Sequence, residues 1–295
     1  MFRYLRVKSK PEIDEAPTGT IRAEQLEGDS ASPIRLGQLN NLPENIKRRL
    51  YRGLIPLNLL LQNDIDPITW KDSRGNGRVF LNATPETGIV RISVRCSSEI
   101  IDEFLHLEIA DNAFGGVDLN FLILSDPDSE RFQTDFDPEG NPTLFGTVRR
   151  NLEAERLAML AGLTPGQVRQ SSGASKIVIH QLDIFLGVLG QRALFLEPLS
   201  YASAWVFERR GFAYVRGHKL MDDIHAEFQP GGKLYNALDG STPFRQLEQW
   251  KTVRGRAWAI HDGILEAIEA RWDKLRMVKQ IGRHAGVETF PGSTF

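Results

Sequence analysis

The spacing of hydrophobic and polar residues divides this chain into an irregular start, a short helical stretch and a long β-rich region. Residues 1–42 mix charged residues with Pro, Gly and Ser without a sustained period. Such composition is typical of a poorly ordered arm, or of one ordered by contact with the body or a partner. Next, Ile46, Leu50 and Leu54 follow helical spacing until Pro56 interrupts it. Two short helices are therefore predicted there.

The region 78–147 has the alternation and the turn residues of β-strands. In LHLEIAD, apolar residues alternate with His106 and Glu108, which predicts a half-buried strand. Those two polar side chains then share one face, directed to solvent or to a cleft. The Asn76-Gly77 pair predicts a hairpin turn flanked by strands. The predicted strands are RVFLNAT, GIVRISVRC, DEFLHLEIAD, VDLNFLILSD and PTLFGTV.

An acidic loop and a helix follow the β region. The loop SDPDSERFQTDFDPEGN lacks the Gly and Glu positions of an EF-hand, so we interpret it as a solvated turn rather than a calcium site. The segment 149–163 predicts a helix whose apolar side is formed by Leu152, Leu157, Leu160 and Leu163.

Composition limits the class of protein. Hydrophobic residues make up 41% and charged residues 25% of 295 residues, which suits one large domain with extensions or two small ones. The net charge of −2 argues against broad nucleic-acid binding. Cys96 is the single cysteine and lies in a strand pattern, so no internal disulfide forms and an inert role is expected. Apolar runs too short for a signal peptide or a membrane span favour a cytoplasmic protein.

The segment 169–216 predicts a loop, a helix, a strand, a second helix and a second strand. This order resembles the coenzyme-A-binding half of a GCN5-related N-acyltransferase (GNAT). The phosphate loop of that family is written Q/R-x-x-G-x-G/A. The residues that match it here are Gln170, Ser171, Ser172, Gly173, Ala174 and Ser175. The predicted elements are the loop 169–173, the helix 174–189, the strand 192–196, the helix 201–210 and the strand 212–216.

The resemblance implies that backbone N–H groups of this loop hold the CoA pyrophosphate at a helix N-terminus, with Arg169 and Phe207 completing the cofactor-binding residues. Three departures accompany it. Ser175 stands where the family has Gly or Ala, and the helix at 149–163 precedes the loop where the family has a strand. Phe207 stands where many members carry the Tyr that protonates the departing thiolate.

The resemblance also implies a fold and a reaction. The expected fold is α/β (α+β), with a GNAT-like, mainly antiparallel sheet flanked by helices over 43–217 and a C-terminal extension, 218–295, packed on it. The expected reaction transfers an acyl group from acetyl-CoA or another acyl-CoA to a small amine, without a metal. Glu197 would serve as the base and Tyr201 as the acid that replaces the missing Tyr. Alternatively, Glu197 caps the following helix and Tyr201 packs in the core.

Two other functions stay open. A non-catalytic GNAT-like scaffold or interaction module would dock into a larger complex through residues 1–42. A metal-dependent enzyme would use His218, Asp222 and His225. The polar tail contributes three further candidates for binding a carboxylate or the CoA phosphates, namely Arg245, Arg254 and Arg256.

Overall fold

The computed structural model describes residues 32–97 and 102–295. Within these residues, helices surround a single seven-stranded sheet. The strands are β1 (Val79–Asn82), β2 (Ile89–Arg95), β3 (Glu103–Asp111), β4 (Val117–Leu124), β5 (Ala193–Leu196), β6 (Ala213–Arg216) and β7 (Arg276–Gln280). The α-helices are α1 (Leu36–Asn40), α2 (Glu44–Tyr51), α3 (Leu57–Gln62), α4 (Leu152–Leu160), α5 (Ser175–Val188), α6 (Tyr201–Glu208), α7 (His218–Glu227), α8 (Lys233–Asn236) and α9 (Val253–His261).

The sheet has the strand order β1-β2-β3-β4-β5-β7-β6. All neighbouring strands are antiparallel except β4 and β5, which are parallel. The predicted α+β class with a mainly antiparallel sheet is therefore confirmed. β7 comes from the region 218–295, so the predicted C-terminal extension supplies an inner strand of the sheet.

The two faces of the sheet differ in polarity because side chains alternate along each strand. One face carries the buried apolar residues of β2 and β3, and α5 packs against it through Val178, Leu182 and Leu186. The opposite face carries Arg91, Ser93, His106 and Glu108, and is called the polar face below. No helix in the described part of the chain is long and apolar enough to cross a membrane.

The predicted arm is shorter than the sequence suggested. Leu36, Leu39 and Asn40 are buried in α1. The Asn40 side-chain amide donates to the carbonyls of Thr87 (2.8 Å) and Ile89 (2.9 Å) and accepts from the Tyr51 hydroxyl (2.6 Å). Residues 36–40 thus belong to the core, although they form only five residues of helix and show no sustained period. Residues 1–31 lie outside the described residues.

Two expectations about the segment after β4 are wrong. PTLFGTV forms a turn rather than a strand, since three consecutive residues, 144–146, have left-handed backbones that cannot extend a strand. In α4, Leu152, Leu157 and Leu160 are exposed, whereas Glu155 and Ala158 are buried. The helix turns this other side inward because it packs on the C-terminal region in a second small core. That core consists of Phe132, Ala158, Leu163, Phe244 and Trp258.

Candidate functional site

A break in strand pairing lies at the centre of the sheet. β5 pairs with β4 only along Val117–Leu119, while β4 continues to Leu124. Phe121 lies opposite Glu108 and Leu119 opposite Ile109, so Asn120 is an extra residue that forms a β-bulge in β4. A bulge bends its strand and increases the local twist. Among the described residues, the β4 edge at 120–123 has no strand partner on the β5 side, and we call this break in pairing the notch.

The loop that resembles the family's phosphate loop returns to the end of β4. Ser171 bridges to Ser125, the Asp126 N–H donates to the Gln170 carbonyl (2.7 Å), and the Ser172 N–H donates to the Leu124 carbonyl (3.1 Å). The segment 126–169, called the insertion below, thus leaves the strand end and comes back to it. In space, the loop follows β4 and opens α5 beside the notch.

The N-terminus of α5 has unpaired backbone donors. Its N-cap residue, Ala174, provides no side-chain hydrogen bond. The N–H groups of residues 174–177 have no acceptor among the described residues. Gly173 has φ +72°, and no atom lies within 4 Å of the position that its Cβ would occupy. Orphan N–H groups and the dipole of a 14-residue helix together favour an anion at this open position.

A cationic side chain adjoins the same helix end. Arg210 follows α6 and donates from Nε and Nη2 to the Ser175 hydroxyl at 3.2 and 3.1 Å. It makes no ion pair with a carboxylate in the described part of the chain. Burial, with Arg209 nearby, lowers the pKa of Arg210 from its usual value of 12.5, which leaves it charged at neutral pH. An anion at the α5 N-terminus would therefore also meet a positive charge.

The other predicted cofactor-binding residues divide into three groups. Ser171, Ser172 and Gly173 are exposed beside the notch. The Arg169 guanidinium instead points inward, donating to the carbonyl of Ser129 and lying 3.4 Å from the Asp102 carboxylate. The Gln170 side chain donates to a carbonyl at the end of α4 (3.2 Å). Both therefore fasten the insertion. Phe207, one turn before Arg210, is half-buried against Phe212, with ring centroids 5.2 Å apart.

The two predicted catalytic residues have different surroundings, one exposed and one buried. Glu197 is 61% exposed and lies 3.3 Å from Arg276, which also pairs with Asp118 at 2.9 Å. It does not cap α6, because the Ser200 hydroxyl accepts the hydrogen bond from the Ser203 N–H. Tyr201 is 1% exposed, and its hydroxyl has no hydrogen-bond partner among the described residues. Burial raises the pKa of Tyr201 to about 12, a shift that the nearby Arg256 opposes.

A histidine–carboxylate pair lies on the polar face beside β4. His106 Nδ1 is 2.5 Å from Glu103 Oε2 and 3.2 Å from the Ser93 hydroxyl. The His106 ring also contacts Phe121 edge to face at 5.7 Å. Burial alone would raise the pKa of Glu103, but hydrogen bonds from His106 and Ser93 outweigh it and hold that pKa below its usual value. The pair therefore resembles a general base with its orienting carboxylate.

Sequence reasoning placed His106 on this face but missed Glu103. Strict alternation puts residues three apart on opposite faces of a strand. The pairing of β2 with β3 shifts here, with Val94 opposite Leu105 and Arg95 opposite Glu103. This irregularity lets Phe104 and Leu105 both be buried, and it returns Glu103 to the face of His106. The sequence carries no turn residue that would signal the shift.

The remaining candidates are engaged elsewhere. Arg245 pairs with Asp262 (3.0 Å), and Arg256 is fully buried with its guanidinium 3.5 Å from the Phe290 ring centroid. Arg254 lies 5.2 Å from the Phe295 ring. Of the three predicted metal ligands, His218 lies 3.8 Å from Asp222. His225 instead contacts the Arg256 guanidinium. The described residues contain no group of three or more His, Cys, Asp or Glu side chains arranged to hold a metal ion.

Comparisons of this chain with models of known protein families, with curated proteins and with solved structures found no match. Its function is therefore inferred from the notch, the loop beside it and the polar face.

Proposed function

We propose that this protein is an acyl-CoA-dependent N-acyltransferase of GNAT-like fold that transfers the acyl group of acetyl-CoA, or of another acyl-CoA, to a small amine. One observation carries the proposal: the bulged end of β4, the notch and the uncapped N-terminus of α5 are adjacent. The pyrophosphate would accept hydrogen bonds from the N–H groups of 174–177 and pair with Arg210. The pantetheine arm would extend along the free β4 edge, as an added strand does.

The polar face supplies the groups for the reaction. The His106 imidazole, oriented by Glu103, would take a proton from the ammonium group of the acceptor. The free amine would then attack the thioester carbonyl carbon, so that a C–N bond forms, the C–S bond breaks and CoA leaves as a thiolate. As the C–S bond breaks, the nitrogen would release a second proton, which would pass to the thiolate directly or through water, while the first proton would leave His106 to solvent. Proximity of the two substrates would provide much of the rate enhancement.

Glu108, the neighbour of His106 on this face, is a poor candidate for the base. Burial alone would raise the pKa of Glu108, but the Arg91 guanidinium and the Asn120 amide (3.0 Å) hold that pKa below its usual value. A carboxylate whose ionised form is stabilised in this way accepts a proton poorly near neutrality. His106 lies on β3, next to the strand β4 that borders the notch. Neighbouring strands are about 4.8 Å apart, so the base is close to the notch.

The second candidate function is a non-catalytic module that binds CoA inside a larger complex. Phe207 favours it, because this side chain has no hydroxyl to protonate a thiolate, and Tyr201 is buried. A protein partner would then contact the predicted arm, residues 1–42, of which residues 1–31 lie outside the described part of the chain. Both functions include a cytoplasmic location with no nucleic-acid partner, and neither includes a metal.

The proposal is tested by thermal unfolding with and without acetyl-CoA. A ligand present at about 100 times its Kd stabilises the native state by about 2.7 kcal/mol, which raises Tm by about 5–10 °C in a protein of this size. Gly173→Asp should abolish the shift, because it places a carboxylate where the phosphates would lie. Gly231→Asp is the matched control, since Gly231 also has a positive φ (+91°) and open surroundings.

Two outcomes would contradict the proposal. The wild-type protein would show no shift with acetyl-CoA or CoA, or Gly173→Asp would keep the full shift. Thiol release from acetyl-CoA that depends on an added amine then separates the enzyme from the non-catalytic module. Binding without such release would favour the module.

A further inference from the structure

A turn in the insertion has an unusual backbone. Leu144, Phe145 and Gly146 have φ values of 49°, 58° and 76° in succession. Glycine adopts this left-handed region readily, whereas Leu and Phe do so at an energetic cost. Leu144 is nonetheless 60% exposed and Phe145 49% exposed. Burial of these side chains in a core therefore does not account for the strain.

The surrounding structure holds the turn in place. Thr143 is buried and donates from its hydroxyl to the Thr134 carbonyl (2.9 Å). The Thr147 hydroxyl donates to the Leu144 carbonyl (2.6 Å). The Phe145 ring lies against Gly166, where a Cβ would come within 2.8 Å of the ring. Strained residues persist only where neighbours determine them in this way, and such residues cluster at binding and catalytic sites.

The turn connects the Phe145 ring to the proposed base through one intervening ring. Its ring contacts that of Phe121 on β4 edge to face, with centroids 6.0 Å apart. The Phe121 ring in turn contacts His106, which is held by Glu103. Phe121 and Phe145, called the aromatic wall below, therefore lie between the exposed surface of the insertion and the His106–Glu103 pair.

We infer that the aromatic wall binds the flat apolar group of the acceptor amine, and that the acceptor is an aromatic amine. A ring placed against the wall would cover the exposed half of Phe145 and pack in the offset or edge-on arrangement that aromatic groups prefer. Its ammonium group would lie beside the Glu103 carboxylate and the His106 imidazole, which gives charge complementarity. The role of this amine as acceptor rests on the proposed function, but its binding does not.

The inference is tested by calorimetric titration of the full chain with 2-phenylethylamine and with ethanolamine, in the absence of CoA. Both carry an ammonium group on two carbons, and they differ by a phenyl ring against a hydroxyl. We expect the wild-type protein to bind 2-phenylethylamine about tenfold or more tightly than ethanolamine. Phe145→Asn should remove the preference, since Asn tolerates the left-handed backbone but has no ring. Phe114→Asn is the control, because Phe114 is 91% exposed in the β3–β4 turn.

A second variant tests the strain. Phe145→Gly should lose the preference while its Tm rises, because glycine adopts this φ freely. Equal binding of the two amines by the wild-type protein, or an unchanged preference in Phe145→Asn, would overturn the inference. The acetyl-CoA shift measured on the same samples reports on the proposed function alone. A preference for 2-phenylethylamine without the acetyl-CoA shift would contradict acyl transfer and support the aromatic site. The acetyl-CoA shift without that preference would contradict the aromatic site and support CoA binding.

Discussion

Asp262 joins the insertion to the C-terminal region, and replacing it by Asn should destabilise the protein. Its Oδ1 lies 2.8 Å from Arg150, and its Oδ2 accepts from Arg245 (3.0 Å) and from the Thr242 hydroxyl (2.8 Å). Arg150 also pairs with Glu155 (2.5 Å). Asp262→Asn keeps the shape of the side chain but removes the charge that both arginines contact.

The magnitude follows from the exposure of the partners. A hydrogen bond to a charged group contributes about 1.5–3 kcal/mol, and removing one partner of a buried ion pair costs about 3–5 kcal/mol. Asp262 is 7% exposed, but Arg150 and Arg245 are 22% and 26% exposed, so water relieves part of the loss. We expect a decrease of about 2–3 kcal/mol in the free energy of unfolding, or about 4–12 °C in Tm.

The effect should depend on pH in a defined direction. Burial alone would raise the pKa of Asp262, but hydrogen bonds from Arg150, Thr242 and Arg245 hold it below its usual value. A carboxylate whose folded pKa is depressed contributes stability above its unfolded pKa, about 3.9, and loses it as the pH falls through the folded pKa. The difference between wild type and Asp262→Asn should be full at pH 6 and shrink below about pH 4.

Urea unfolding followed by tryptophan fluorescence measures this difference. Trp258 is fully buried in the second core, where it stacks on Phe244 with centroids 5.2 Å apart. Asp222→Asn is the matched control, because Asp222 is 61% exposed and lies 3.8 Å from its partner. If Asp262→Asn shifts the urea midpoint no more than Asp222→Asn does, or shifts it equally at pH 3 and pH 6, the reasoning is wrong.

Two further predictions concern the arm and the catalytic groups. Removing residues 1–31 should leave the urea midpoint unchanged. Removing residues 1–40 should lower the free energy of unfolding by about 3–6 kcal/mol, because it deletes the buried Leu36 and Leu39. Equal midpoints for the two truncations would contradict the core role of α1. Glu103→Gln should lower amine-dependent thiol release by about 100-fold without changing the acetyl-CoA shift. Glu197→Gln and Tyr201→Phe test the roles assigned from sequence in the same assay: a catalytic role requires a fall of about 100-fold with Tm unchanged, and a joint loss of stability and turnover would make the residue structural.

The elements from the loop to β6 were predictable because their ends carry local signals. The helix expected at 174–189 is α5 (Ser175–Val188), and Gly190 follows it with φ +71°. The helix expected at 201–210 is α6 (Tyr201–Glu208), capped by Ser200 and followed by Gly211 with φ +87°. Glycine favours these left-handed positions after a helix, so each end is specified within a few residues of sequence.

The orientation of α4 was not predictable, because distant residues decide it. The hydrophobic periodicity predicts that the side carrying Leu152, Leu157 and Leu160 is buried. The helix instead buries Glu155, which Arg150 and His261 contact, the latter 106 residues away in the chain. Burial alone would raise the pKa of Glu155, but hydrogen bonds from His261 and Arg150 hold it below its usual value. Because its charge is stabilised in this way, Glu155 can be buried on the side of the helix that the hydrophobic periodicity predicts to be exposed.

The insertion leaves and rejoins the sheet at the end of β4, so the proposed acceptor site and the proposed CoA loop lie on separate segments of the chain. The Ser125–Ser171 bridge holds the start of the loop against the end of β4. The insertion packs instead on the C-terminal region, through Trp258 and the Asp262 network. It then carries the Phe145 turn to the polar face. Under the proposed function, changes within the second core should therefore alter recognition of the acceptor amine and leave the affinity for acetyl-CoA unchanged.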